Sequence, residues 1–460
     1  MEYSKALSDF CARLTYGDIP DDVAHKAKLC ILDYLANVYG SLKLDAVKGV
    51  ASYIKSLNGP NEATCVGLRF KSGIHNAAFI NGTAAEAIES QDGLRFGGNH
   101  PGTAVIPAAF AVAERLSEKR KVGGKEVITA IVAGYEAADR PAAAMHPRHT
   151  LSGFLPTGTT GTFGAAVAAA KLMGLDPEKM SNALGNAGYI LPVSMAEQLM
   201  GGYTVKIVQG GQAASAGITA AFLSYAGITG MPSVFEGTQL GGGFCKITTD
   251  FDPAYERITD RLGEHYTIMD IYFKPYTACR HTHGAAQATL ELKAEREFGP
   301  KDVEEVKVFT YGIGVIAVGK GVKENDSIVN AQFSIPYVVS VTIADNDLGP
   351  EQLTEKRLAD RSLIDFTKKV KVDYDDEINK MYPEKTASRV EITLKGGEVI
   401  KKQVEIPKGD PRDPMEADDL AAKIKRFAPE RNEADLDKLI EATLKLESVS
   451  DIREITRLME

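Results

Sequence analysis

From the N-terminus to about Gly230, apolar positions recur at the three- and four-residue spacing of helices, and many of them are alanine or glycine. HNAAFINGTAAEAIES (75–90), GTAVIPAAFAVAERLS (102–117), TFGAAVAAAKLMG (162–174) and GQAASAGITAAFLSYAG (211–227) are the clearest cases. Small side chains let helix axes approach closely, so the pattern predicts a compact all-helical core in which several of these helices are buried. A structural bundle accounts for most of those residues.

Past about Pro253 the period changes. VEEVKVFTYG (303–312) has the pattern of a strand, AQFSIPYVVSVTIA (331–344) that of a helix, and VEITLKGGEVIKKQVEI (390–406) that of a hairpin turning on Gly396 and Gly397. From Asp413, DPMEADDLAAKIKRFA regains helical spacing, with Asp413 the expected N-cap and Pro414 in the first turn. The expected fold class is mainly α: a large all-α helical domain from residues 1–265 and 410–460, with a smaller α+β lid domain, residues 266–409, inserted between them. No internal repeat or low-complexity linker is visible.

The length, 460 residues, exceeds one ordinary core, and 44% hydrophobic with 25% charged residues is a globular composition. A net charge of -9 argues against nucleic acid or an anionic membrane as partner, because both need a basic footprint. A local cationic pocket for a small anion is compatible with it. The five cysteines, at 11, 30, 65, 245 and 279, form no CxxC pair, which predicts reduced thiols and a cytoplasmic protein. MEYSKALSDFCARL at the N-terminus contains acids and no apolar stretch, so no signal peptide is expected there. The longest low-charge run, 210–231, is too polar for a membrane span and fits a buried helix.

Three stretches gather reactive side chains. FKPYTACRHTH (273–283) packs Lys274, Tyr276, Cys279, Arg280, His281 and His283 near the junction of the two expected domains, where small-molecule clefts are favoured. Its cations suit carboxylates, Arg280 as a planar fork and Lys274 as a point charge. They equally suit an interdomain salt-bridge network with His281 exposed. The His281–His283 pair has no third ligand at metal spacing, so no metal is expected. AEAIESQDGLRFGGNHPGTA (85–104) ends one helix and starts another, placing Glu89, Asp92, Arg95 and His100 on a Gly-rich loop, although a histidine there also suits a simple helix cap. GGYTVKIVQGGQAASAG (201–217) sets Lys206 between glycines at a helix start, where unpaired N–H groups favour an anion. GTTGTFGAA (158–166) has GxxGxxG spacing and no preceding strand, so it is no dinucleotide fingerprint.

Together DGLRFGGNHPGTAVIPAA (92–109), FLPTGTTGTFGAAVAAAKLMGL (154–175), GGYTVKIVQGGQAASAG and FKPYTACRHTH resemble the MmgE/PrpD family, with further likeness in NAQFSIPYVV (330–339) and PKGDPRDPM (407–415). That resemblance implies a homodimer without cofactor or metal, acting on small anionic polycarboxylates. It also implies Asp92, His100, Lys206, Lys274 and His283 as catalytic residues. The sequence departs from many relatives at Gln91, where they carry Asp, and at Leu94 and Leu155, where they carry His; Cys279 stands where the decarboxylase branch has a catalytic His.

The expected chemistry begins with proton removal next to a carboxylate. Lys206, Lys274 and Arg280 would clamp the substrate and stabilise the enediolate, and His100 would be the acid or base with Asp92 orienting it. Arg95, Tyr276 and Cys279 complete the expected binding set. Elimination of water, as in 2-methylcitrate dehydratase, ranks first. Epimerisation or isomerisation of a related polycarboxylate, as with iminodisuccinate, comes second, decarboxylation, as with cis-aconitate, third, and a non-catalytic carboxylate-binding relative last.

Overall fold

The computed structural model describes residues 2–460. Its centre is the helix Pro156–Leu172, buried along almost its whole length and packed against helices Gly102–Leu116, Gly124–Met145, Pro177–Ile190 and Gln209–Tyr225. Helix Ile74–Ala87 lies across 102–116 and 209–225. The small-residue stripes make this possible: a Cβ on Gly82 would sit 2.7 Å from the Cα of Gly211 and 2.6 Å from the Thr103 carbonyl. All four helices expected here from sequence are present. Helix 156–172 begins earlier than expected, at Pro156 in the first turn, so the glycines of GTTGTFG lie inside a buried helix.

The second unit is built on a four-stranded sheet in the order 370–374, 303–310, 388–394, 399–404. Strands 303–310 and 370–374 are parallel and the other pairs antiparallel, with the hairpin 388–404 turning on Gly396 and Gly397, both at positive φ. Burial alternates along 388–394, the mark of a sheet covered on one face. Helices His283–Glu295 and Ile335–Asp345 pack against each other and against the sheet. The helix expected over 331–344 is divided. Ile328–Gln332 ends at Phe333, and a new helix starts where the Ser334 hydroxyl accepts from the Tyr337 amide, with Pro336 in its first turn.

The main apolar core draws on residues from Leu7 to Phe273 and again from Met415 to Met459, whereas Cys279 to Val404 form a separate core around the sheet. Helices Ala417–Phe427 and Glu433–Leu444 return to pack on Asp21–Ser41. Asp413 is not the N-cap of the first of these. Its carbonyl accepts from Gly409 in a preceding turn, and Glu416 caps the helix with Asp419 in a capping box. The sequence patterns also did not reveal the short pairings Ala63–Cys65 with Phe70–Ser72 and Gly93–Leu94 with Ile271–Tyr272. The latter fastens the 88–100 loop to the segment that leads into the second unit.

Candidate active site

Helix 74–87 ends at a buried acidic turn. Glu86 lies in its last turn, and Glu89 has φ +55°, a left-handed backbone that costs a non-glycine residue on the order of 1–3 kcal/mol. What holds Glu89 there is a pair of lysines. Lys274 Nζ donates to Glu89 Oε1 at 2.8 Å and to its carbonyl at 3.2 Å, and Lys206 Nζ donates to Glu89 Oε2. Lys206 also reaches Glu86 Oε1 at 2.8 Å, and that oxygen accepts from Gln209 at 2.7 Å and Gln91 at 3.1 Å. All four charged side chains are almost wholly buried. Burial alone would raise the Glu89 carboxyl, but Lys206 and Lys274 outweigh it and hold the group below its usual range. Burial likewise opposes the Lys206 charge, and Glu86 with Glu89 overcomes it, so its ammonium is stabilised.

His100 completes the cluster. Its Nδ1 lies 2.6 Å from the Asp92 carbonyl, an acceptor, so Nδ1 carries the proton and Nε2, 4.0 Å from Glu89 Oε1, is left with a free lone pair. Burial, then the charge of Lys274, lowers its pKa to about 4, so the ring is neutral at pH 7. Gly93 permits this approach: a Cβ there would meet the Tyr272 hydroxyl at 2.5 Å and His100 Nδ1 at 2.9 Å.

These groups form the floor of a cavity of about 690 Å³ between the two units. Arg95, Lys206, Lys274, Arg280 and Lys320 border it, against the single carboxylate of Glu89. Because Glu86 and Glu89 together balance Lys206 and Lys274, the net attraction for an anion comes from Arg95, Arg280 and Lys320. Lys206 and Lys274 are therefore not the free clamp expected from sequence. Each ammonium uses two of its three N–H donors within the cluster and has one left.

Six of the nine catalytic and binding residues expected from the sequence share this cavity, His100, Lys206, Lys274, Arg95, Cys279 and Arg280, as do Glu89 and His281 from the same stretches. Arg280 is committed to protein, donating to the carbonyls of Lys408 at 2.8 Å and Pro407 at 2.7 Å while lying over the Tyr272 ring. Arg95 donates to the carbonyls of Pro383 and Glu384. Burial pushes the Cys279 thiol up to about 11, so it is not a thiolate nucleophile at neutral pH.

Three expected site residues lie elsewhere. The Asp92 carboxyl turns away from His100, accepting from Tyr135 Oη at 2.6 Å and the Gly102 amide at 3.2 Å, and only its backbone carbonyl orients the histidine. His283 is fully buried, with Nε2 3.0 Å from the Ala278 carbonyl and Nδ1 unpartnered. Tyr276 packs against that ring. Two histidines take the place of His283 on the cavity wall: His281, with Nδ1 2.5 Å from Tyr311 Oη, and His146. Burial lowers both to about 4, with help from Lys274 for His281 and Arg257 for His146. Glu86 and Gln209 were also missed. Two acids in the Ala-rich AAEAIES were the available signal, since a carboxylate on a buried helix needs a partner. Among the described residues no three His, Cys, Asp or Glu side chains are grouped to hold a metal ion, and no helix is long and apolar enough to cross a membrane.

Leu94, Leu155 and Cys279, the positions where the sequence resemblance implied histidine in relatives, all border this cavity. Residues 5–256 match the MmgE/PrpD N-terminal domain and residues 276–447 the MmgE/PrpD C-terminal domain. Among similar proteins, a cis-aconitate decarboxylase of Aspergillus terreus is 27% identical across 98% of this chain and 95% of its own. The cis-aconitate decarboxylases of Mus musculus and Homo sapiens are each 25% identical, covering 99% and 97% of this chain and 94% and 92% of theirs.

Proposed function

The chain belongs to the MmgE/PrpD family, and from that premise we propose that it is a lyase of small polycarboxylates, releasing carbon dioxide from an unsaturated tricarboxylate of the cis-aconitate kind. The observation that carries this reading is a cavity bordered by Arg95, Arg280 and Lys320 over a floor where a neutral histidine adjoins two buried lysines paired with Glu86 and Glu89. Full-length likeness to proteins named as cis-aconitate decarboxylases puts decarboxylation ahead of the water elimination that the sequence motifs ranked first.

In such a reaction the bond to the departing carboxylate breaks and its electron pair becomes the new double bond. The old double bond then places its pair on the carbon beside a retained carboxylate, where it spreads into an enediolate. Preorganised cations stabilise that charge at no cost of reorganisation. A proton added to that carbon closes the balance, and the remaining N–H of Lys206 or Lys274 is its donor in this scheme. Glu86 and Glu89 fix the lysines in place, and water entering the cavity returns the proton to the lysine, because neutral His100 has its one N–H held by the Asp92 carbonyl.

The unprotonated Nε2 of His100 favours a second reading. A neutral imidazole beside a bound carboxylate is equipped to take a proton, which is the first step of dehydration. NMR of the purified protein in D2O with ¹³C-labelled cis-aconitate, citrate and 2-methylcitrate separates the two. Decarboxylation gives labelled bicarbonate and a terminal vinylic methylene; dehydration interconverts hydroxy and unsaturated acids with all carbon retained. Deuterium uptake alone indicates epimerisation, and inert substrates with measurable binding indicate a carboxylate-binding relative.

A further inference from the structure

We propose that the natural substrate carries an apolar chain of several carbons in addition to its carboxylates, and that the chain lies along the mouth of the same cavity. This inference rests on the reading of the floor as a polycarboxylate site. A cavity of about 690 Å³ is in the range that encloses drug-sized ligands, well beyond what a small tricarboxylate fills.

The surplus space is apolar. Lys206, Lys274 and His100 gather around Glu89, Arg95 and Lys320 border the cavity nearer solvent, and Leu94, Leu155 and Phe333 contribute apolar lining. Four large apolar side chains on the cavity lining are strongly exposed: Leu151 at 68%, Met200 at 53%, Ile313 at 45% and Ile316 at 65%. Ile313, Ile316 and Ala317 stand at i, i+3 and i+4, so one face of helix Gly312–Val318 is turned to the cavity. Leu151 and Met200 come from the helical unit, so both units place apolar surface at the same opening. Exposed apolar surface continuous with a ligand cavity marks a binding groove. Its continuity with the cationic floor selects the occupant: one molecule with a carboxylate head and an alkyl or acyl arm.

Calorimetric titration of the full chain with an unsubstituted tricarboxylate and the same head bearing propyl, pentyl and heptyl chains tests this. Affinity is expected to tighten by about fourfold per methylene until the chain clears the mouth. In Ile316→Asp and Leu151→Asp, both at exposed positions that tolerate a polar side chain, that dependence on chain length is expected to flatten. The readout is the slope, so a general change in affinity does not mimic the result. If the unsubstituted head binds and added methylenes bring nothing, the inference fails while the polycarboxylate reading stands. If no tricarboxylate binds, with or without a chain, both fail.

Discussion

Glu89 is strained in its backbone and bonded to both lysines of the floor, so its substitution exposes what the cluster does. In Glu89→Gln the two buried ammoniums keep only Glu86 as a charged partner, and breaking a buried pair costs about 3–5 kcal/mol. A fall of that order in denaturant stability, together with lost turnover, is expected; unchanged stability would show that the lysines find other partners. His100→Ala should lower kcat by about 10²–10⁴ with smaller change in KM. If His100 is the base, the acid limb of kcat/KM lies near pH 4 instead of near the ordinary 6.5. Asp92 behaves in the opposite sense. Burial, then the neighbouring Asp33, raises it from 3.8 to about 7, so the folded state binds a proton there that the unfolded chain has released. Its contribution to stability is complete below pH 3.8 and is lost as pH rises through about 7. Asp92→Asn, measured by urea unfolding at pH 6 and 8, should lose less stability over that interval than the parent chain. His100, Lys206 and Lys274 stood out in the sequence as proton-handling or cationic side chains in short segments between helical stretches, where the family resemblance also pointed, and the cavity brings the three together. His283 was misjudged for a geometric reason: residues two apart on a helical turn point about 200° apart. His281 therefore meets the cavity and His283 faces the interior.

At the scale of elements, the site loop 88–92 is held from three directions. Gln332 donates to the Ala87 carbonyl at 3.0 Å, Ser90 donates to the Lys274 carbonyl at 2.9 Å, and Lys423 from the C-terminal helix donates to the Ser90 carbonyl and to Asp33, both at 2.7 Å. Lys423→Met would leave Asp33 buried without its cation, at a cost of about 3–5 kcal/mol. Loosening of the loop should appear as faster amide exchange at 88–92, and exchange unchanged from the parent would deny that helix 417–427 supports the site. Behind the loop, Gly211 has no room for a methyl group, since a Cβ would lie 2.1 Å from the Phe79 carbonyl and 2.6 Å from Thr83 Oγ1. Gly211→Ala must part helices 74–87 and 209–225 and is expected to cost about 1–3 kcal/mol. Alanine and glycine stripes announced these close crossings in the sequence. The start of helix 156–172 was hidden because Gly and Thr have weak helix propensity, and burial among four neighbouring helices overrides it. Glu416 rather than Asp413 caps the helix at 417 because the chain first closes a turn at Gly409, an interaction no local pattern announces.

At the scale of the molecule, burial of neutral imidazoles should decide how the fold responds to acid. His100, His146, His149 and His281, spread over the helical unit and the entry to the second unit, are each lowered from 6.5 to about 4, with burial the leading cause. Between those values the unfolded chain holds a proton on each of them and the native state holds almost none. The folded state thus gains stability as pH rises from about 4 to 6.5 and loses it on acidification. Asp92 opposes this, because near pH 5 it is protonated in the folded state and ionised in the unfolded one. His75 and His283 are lowered in the same sense as these four, and Asp33 and Asp139 are raised in the sense of Asp92, so six histidines stand against three carboxyls; each net proton corresponds to about 1.4 kcal/mol per pH unit. Urea unfolding at pH 5 and 6 should therefore differ in favour of the higher pH, by about 1.4 kcal/mol for each net proton taken up on unfolding. His149, which bonds Thr159 and Thr248 outside the cavity, separates this effect from catalysis. His149→Gln should reduce the slope by about one proton while leaving the floor of the cavity intact. A slope near zero in the parent chain would mean that these imidazoles take up protons without unfolding, through water reaching them from the cavity, and the acid limb of activity would then reflect His100 alone.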